Sequence, residues 1–369
     1  MTAGGGGPSG NTSDELGELV RLAREAGASD DEIEQAIAEG SLHVVPVQRG
    51  LIGGREERTV EEMAERAGLD PGLARQVWAA LGFANDEHPT CSERDLPLFA
   101  YYHELVKLAG VEQCLQDART MGATMSQLAD AEVAEIRAAM EAPLRAGGGG
   151  DLEVARLLLG LLDVMPVLHA AIVAAHRRHV YVAGRRYSLW GVPPTEASTT
   201  DCVVGFADLV GFTPLGQQLD APQLDELLRM FEHRVSVVAG SPLTRVVKLI
   251  GDEALFVSGT AVEAVSIASA LVADPQLPAL RVGLASGEIV TRGGDVFGSV
   301  VNLAARLVTI AESGQILADA VTVARLPGGS VVTINLLGTR RVNGFEEPVE
   351  VFAVSALVDG TVRADRRSP

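Results

Sequence analysis

The chain has 369 residues, too many for one ordinary core, and its 47% apolar content is ample for burial, which excludes a disordered chain. The net charge is −19; the first 200 residues carry 17 Lys+Arg against 30 Asp+Glu (−13) and the remainder 13 against 19 (−6), so both parts repel nucleic acid and anionic membranes. Cys91, Cys114 and Cys202 are scattered and odd in number, which offers neither a disulfide framework nor a metal spacing and fits a reducing, cytoplasmic setting.

No basic segment followed by an apolar run opens the chain, so no signal peptide is expected. Residues 1–12 are rich in Gly and Ser and read as a disordered tail. A run of helical patterns follows. Ser13-Asp14 caps a helix through Leu16, Leu19, Val20 and Leu22, and Ser29 caps a second with Ile33, Ala36 and Ile37 on one face and Gly40 at its end. A third begins near Thr59, and another follows Ser92 through Leu98, Tyr102, Leu105 and Leu108. Helical segments cover about 111–143, Gly147 to Gly150 break the pattern, and an apolar helical region runs on to about His179. Its most apolar stretch, Leu157 to Ala175, contains Asp163, Pro166 and His169, and reads as a buried helix pair rather than a membrane span. The predicted organisation is an all-α domain over 13–190, a linker over 191–200 with Pro193 and Pro194, an α+β domain over 201–358 and a tail over 359–369.

In the α+β part, strands are expected at 201–208, 245–250, 254–258, 280–286, 331–335 and 348–354, with helices at 221–238, 261–273 and 299–310. Three segments carry chemistry. In Phe206 to Thr213 an acid, Asp208, ends an apolar strand before a Gly turn and a helix, which can present a carboxylate and backbone N–H groups to a metal-bound phosphate; a plain helix cap explains it as well. In Lys248 to Glu253 a Gly-Asp turn joins two apolar strands; alone, Asp252 is an ordinary hairpin residue. In Gly294 to Arg306, Asn302 and Arg306 are spaced i, i+4 and share a helix face, the usual mark of solvated surface.

The three segments together, FADLVGFT, then KLIGDEALF, then GDVFGSVVNLAAR, resemble the class III adenylyl and guanylyl cyclase family over about residues 200–356. The resemblance implies a ferredoxin-like cyclase fold that converts ATP to cyclic AMP and pyrophosphate. It implies Asp208 and Asp252 as ligands of two divalent cations, Mg²⁺ or Mn²⁺, and Leu209, Val210, Gly211, Phe212 and Thr213 as a phosphate-binding loop. It implies Lys248 and Asp295 as the adenine-reading pair, Asn302 as the ribose-orienting residue and Arg306 as the stabiliser of charge on the α-phosphate. It also implies a homodimer with shared sites, since all six positions are filled in one chain. There are departures: Ala285-Ser286-Gly287 stands where many relatives have His-x-Gly, and Asn343 where many have a phosphate-binding Lys, with Arg340 and Arg341 nearby. The connection at 240–245 is short for a dimerisation arm. A diguanylate cyclase is disfavoured, since Ile250 to Ala254 lacks that signature's first Gly and its Phe.

The helical part resembles the regulatory, autoinhibitory domains of actinobacterial cyclases, some of which respond to acid or fatty acids. Six of the seven histidines (43, 88, 103, 169, 176, 179) precede residue 200, and His176 and His179 flank Arg177-Arg178 near the junction, where protonation between about pH 5 and 8 can act as a switch; solvated helix-end histidines are the alternative. The helices at 154–175 are candidates for a lipid or fatty acid pocket or a dimer core. Residues 59–82 resemble a helix-turn-helix, but the reading helix carries only Arg75, which favours a plain helical hairpin and no nucleic acid partner. The competing functional reading is a degenerate cyclase domain acting as a nucleotide sensor or DNA-binding regulator; the intact Asp and Arg positions argue against it.

Overall fold

The computed structural model describes residues 13–54, 57–84, 90–189, 199–328 and 332–356. The tails at 1–12 and 359–369, His88 and most of the linker lie outside them. The chain divides into two compact units, Met1–Ala175 and His176–Pro369.

The first unit is helical. It contains α1 (Ser13–Glu25), α2 (Asp30–Glu39), α3 (Val45–Ile52), α4 (Val60–Ala67), α5 (Pro71–Ala80), α6 (Leu96–Ile136), α7 (Ala142–Ala146), α8 (Asp151–Leu162) and the start of α9 (Met165–Leu189). Local signals set these bounds. Ser29 caps α2 through its side chain and Gly40 closes it in the left-handed conformation. Thr59 and Glu62 form a capping box on α4. α6 is broken at Gly110, and a π-turn at Arg137–Glu141 joins it to α7. Trp78, Phe99 and Tyr102 centre one core, and Leu19, Ile33 and Leu152 a smaller one. Residues 59–82 fold as two helices, α4 and α5, joined by a short turn, and Arg75 is bound to Glu61 at 3.0 Å. No single helix among the described residues is long and apolar enough to cross a membrane; α8 and α9 together are apolar enough but bend by 49°. The stretch expected to be buried is in fact exposed along much of α9, with Val167 and Val173 open to solvent.

The second unit is built on one mixed sheet: β1 (Thr199–Leu209), β2 (Thr244–Ile250), β3 (Glu253–Ser258), β4 (Leu280–Arg292), β5 (Asp295–Phe297), β6 (Ile316–Asp319), β7 (Val332–Arg340) and β8 (Val349–Ala356). The helices are α10 (Phe212–Gly216), α11 (Ala221–Val238), α12 (Ala261–Val272), α13 (Ser299–Ile310) and α14 (Ala320–Ala324). Strand order is β2-β3-β1-β4-β6-β8-β7, with β5 paired to β4. The β2-β3-β1-β4 half is antiparallel and is joined as β-α-β-β-α-β, the ferredoxin-like arrangement. One face packs Phe231 and Val235 of α11 and the apolar side of α12. The other packs Ala304, Leu307 and Val308 of α13. Gly283 lets α13 approach β4: a Cβ there would lie 2.4 Å from the Ala304 carbonyl oxygen. Cys91, Cys114 and Cys202 are all buried, and none forms a disulfide.

Candidate active site

β1 is the central strand, buried along almost its whole length, and Asp208 is its penultimate residue. Antiparallel pairing sets Asp208 opposite Glu253 on β3 and Arg281 on β4. The β2–β3 turn at Gly251-Asp252 folds beside it, and the Leu209 amide donates to the Asp252 carbonyl at 3.1 Å. The two expected acids thus meet at one edge of the sheet. Burial, first, and the Asp208 charge hold the Asp252 carboxyl above its ordinary value against its own backbone N–H and Arg281. Glu253 is pushed up the same way, by burial and then by Asp208 and Asp252.

Arg281 answers this negative cluster. Its Nε donates to Asp208 Oδ2 at 2.6 Å and its Nη1 to the Thr309 carbonyl at 3.1 Å, so it fixes the carboxylate against the end of α13. Sequence reasoning singled out neither Arg281 nor Glu253. Their signal is cross-strand register with Asp208, which requires knowing which strands pair.

The donor set suits hard divalent cations in one specific way. Among the described residues no group of three or more His, Cys, Asp or Glu forms a ready metal cage. Two adjacent carboxylates are nevertheless what Mg²⁺ ordinarily takes from a protein when substrate phosphates complete its shell. Burial is the first cause of the raised Asp252 carboxyl; the smaller part due to the Asp208 charge is one that a cation between the two would offset.

Lys248 and Asp295, 47 residues apart, form the second pair: Nζ donates to Oδ2 at 2.6 Å. A register irregularity between Val246 and Lys248 re-aims β2 at this point. Asp295 starts β5, placed by a tight turn in which Gly293 and Gly294 both take positive φ, the geometry of a two-residue hairpin. Burial raises the Asp295 carboxyl, but Lys248, the Val296 N–H and Arg245 outweigh it, so it sits below its ordinary value.

Asn302 and Arg306 are exposed on α13, opposite its buried face. In the loop after β1, the Leu209 amide is used by Asp252 and the Val210 amide donates to the Ala279 carbonyl at 2.8 Å. Gly211 precedes the short α10, which carries Phe212 and Thr213. Arg340, Arg341 and Asn343 are exposed where β7 leads towards β8. His176 and His179 are exposed on α9.

The model of the adenylate and guanylate cyclase catalytic domain matches residues 194–356. Adenylate cyclase of Streptomyces coelicolor is 33% identical over 328 residues, 85% of each chain. A pH-sensitive adenylate cyclase of Mycobacterium tuberculosis is 29% identical over 92% of this chain and 88% of that one. Among solved structures, the adenylyl cyclase CyaB of P. aeruginosa is 26% identical, with a TM-score of 0.38, covering 44% of this chain and 97% of that one. An exposed Asn–Arg helix face, a Lys–Asp pair and two adjacent acids at a sheet edge therefore sit inside a matched domain, and the chain belongs to the adenylate and guanylate cyclase family.

Proposed function

We propose that the protein is an adenylyl cyclase that converts ATP to 3′,5′-cyclic AMP and pyrophosphate. The observation that carries this reading is the Lys248–Asp295 pair, an ammonium donor and an ionised acceptor held together. Lys248 would donate to adenine N1 and Asp295 accept from the 6-amino group; guanine offers an N1–H and a carbonyl there and mismatches both. Asp208 and Asp252 would hold two Mg²⁺ or Mn²⁺ ions, which when bound lower the pKa of the ribose 3′-hydroxyl and neutralise the triphosphate. Of the loop 209–213, the amides of Gly211, Phe212 and Thr213 are the donors left for phosphate, those of Leu209 and Val210 being engaged. Asn302 would orient the ribose and Arg306 would stabilise the charge that grows on the α-phosphate as O3′–P forms and the bond to pyrophosphate breaks. Names of relatives support the activity: those from Streptomyces coelicolor and Streptomyces griseus are adenylate cyclases.

In this reading residues 201–358 form the catalytic domain, 13–190 a regulatory helical domain and 191–200 their linker, and the active unit is a homodimer with shared sites. His176 and His179 are the proposed proton-sensitive groups, supported by the relative named as pH-sensitive. The test is to incubate the full chain with Mn²⁺ and either ATP or GTP and identify the product. Cyclic AMP should form faster than cyclic GMP by roughly two orders of magnitude or more. Equal rates would overturn the base assignment, and no product from either would overturn the enzyme.

A further inference from the structure

Within the second unit, the end of α9 lies over the start of the sheet and encloses a cavity of about 200 Å³. Ala183, Arg186 and Tyr187 of α9 line it, with Arg245 of β2, Thr200 of β1 and Thr291 of β4. Arg186 and Arg245 are both withdrawn from water, and burial is the first cause of a lowered guanidinium pKa in each. Each charge stands near the other: Arg245 further disfavours the charged Arg186.

Neither guanidinium has a carboxylate partner among the described residues. Arg245 Nη1 donates to the Gly294 carbonyl at 2.6 Å, a neutral acceptor. Arg245 also feels Asp295, but that carboxylate is hydrogen-bonded to Lys248. The Nε of Arg186 is buried with no hydrogen-bond partner. Two neighbouring half-buried cations and an orphaned buried donor are an unfavourable arrangement unless an anion completes it. Other arginines of this unit are paired with carboxylates, as in Arg234–Asp274, Arg281–Asp208 and Arg325–Asp201.

We propose that this cavity is a binding site for a small oxyanion, a phosphate or carboxylate group, bridging Arg186 and Arg245. Its volume is below that of pockets for drug-sized ligands, which suits a compact ion. Guanidinium forks match planar carboxylates and phosphate edges, and the Thr200, Thr291 and Tyr187 hydroxyls can complete the shell. The site ties α9 to the hairpin that carries Asp295, because Arg245 grips the residue before it. Bound anion would therefore steady the adenine-reading pair; this consequence rests on the adenylyl cyclase reading, whereas the binding does not.

The test is a melting series of the full chain in inorganic phosphate, and separately in acetate, at constant ionic strength set with chloride. At ten times the dissociation constant, the preferred anion should raise the melting temperature by about 3 °C. Acetate matching phosphate at low concentration would mark a carboxylate ligand, and phosphate alone a phosphoryl ligand; either supports the site. Arg186→Gln should abolish the shift. Arg186→Glu supplies the missing anion within the chain: it should melt higher than the parent without phosphate and ignore added phosphate. Arg306→Gln should keep the response, which separates this cavity from the catalytic phosphate site. A rise shared equally by Arg186→Glu would be general salting by phosphate and would overturn the site. So would an absent response in the parent, or a response lost with Arg306→Gln.

Discussion

Asp295 shows how one carboxylate can be made indifferent to pH. Its folded value lies below the ordinary one because Lys248, the Val296 amide and Arg245 outweigh burial. A carboxyl depressed on folding contributes stability above its unfolded value of about 3.9, and loses it only as pH falls through the lower folded value. Throughout the working range it is an ionised acceptor. The ATP-over-GTP preference should therefore stay flat between pH 5 and 8, measured as the ratio of kcat/KM for the two nucleotides. Lys248→Met should cut kcat/KM for ATP roughly 10- to 100-fold and erode the preference, since the donor to adenine N1 is lost and Asp295 is left without its cation. At this scale Asp208, Asp252, Lys248 and Asp295 stand out in the sequence only through the joint order of three motifs that resembles the cyclase family, since each alone has an ordinary turn or strand explanation. Arg281 and Glu253 were illegible: their roles come from cross-strand register with Asp208, and nothing local in Leu280 to Leu284 distinguishes a site arginine from a surface one.

Among elements, those with strong caps or long apolar runs were legible. The expected helices at 221–238 and 299–310 coincide with α11 and α13, and Asp220 and Gln223 explain the start of α11 as a capping box. Short elements were not: β5 and β6 have three and four residues, too few to show a period, and exist because β4 offers them an edge. β4 itself runs six residues beyond its expected end, since pairing with β1 and β5 carries it past Gly287. The dependence of the site on one close approach can be tested at Gly283. Ala there would press on the Ala304 carbonyl and the Val308 amide, both at 2.4 Å from the added carbon, where only backbone could yield. Overpacking of this kind costs about 1–3 kcal/mol. Gly283→Ala should lower the melting temperature and also move α13, carrying Asn302 and Arg306 with it. Because misplacement of about 1 Å can cost 100-fold, kcat should fall more than melting suggests, with KM changed less.

For the whole molecule, the open matter is whether one chain makes a site. All six implied positions occur once per chain, but on separate supports: the acids at the β1 and β2–β3 edge, and Asn302 with Arg306 on the exposed face of α13. In the proposed reading the exposed Asn302–Arg306 face would gain its substrate wall from a second copy. Further exposed apolar residues, Ile334 and Leu336 on β7 and Val237 on α11, are surface that a partner would cover. If sites are shared, Asp208→Asn and Arg306→Ala each disable both sites of their own homodimer. In a two-fold dimer of the two variants, one site combines both lesions and the other has none. With free exchange at equal amounts, half of the dimers are mixed and each has one of two sites, so the mixture should recover about a quarter of parental activity. Co-expression with two affinity tags, followed by tandem purification of the mixed dimer, should raise this to about half. Recovery near zero in purified mixed dimers would mean that each chain builds its own site, and the exposed face of α13 would then need another cover.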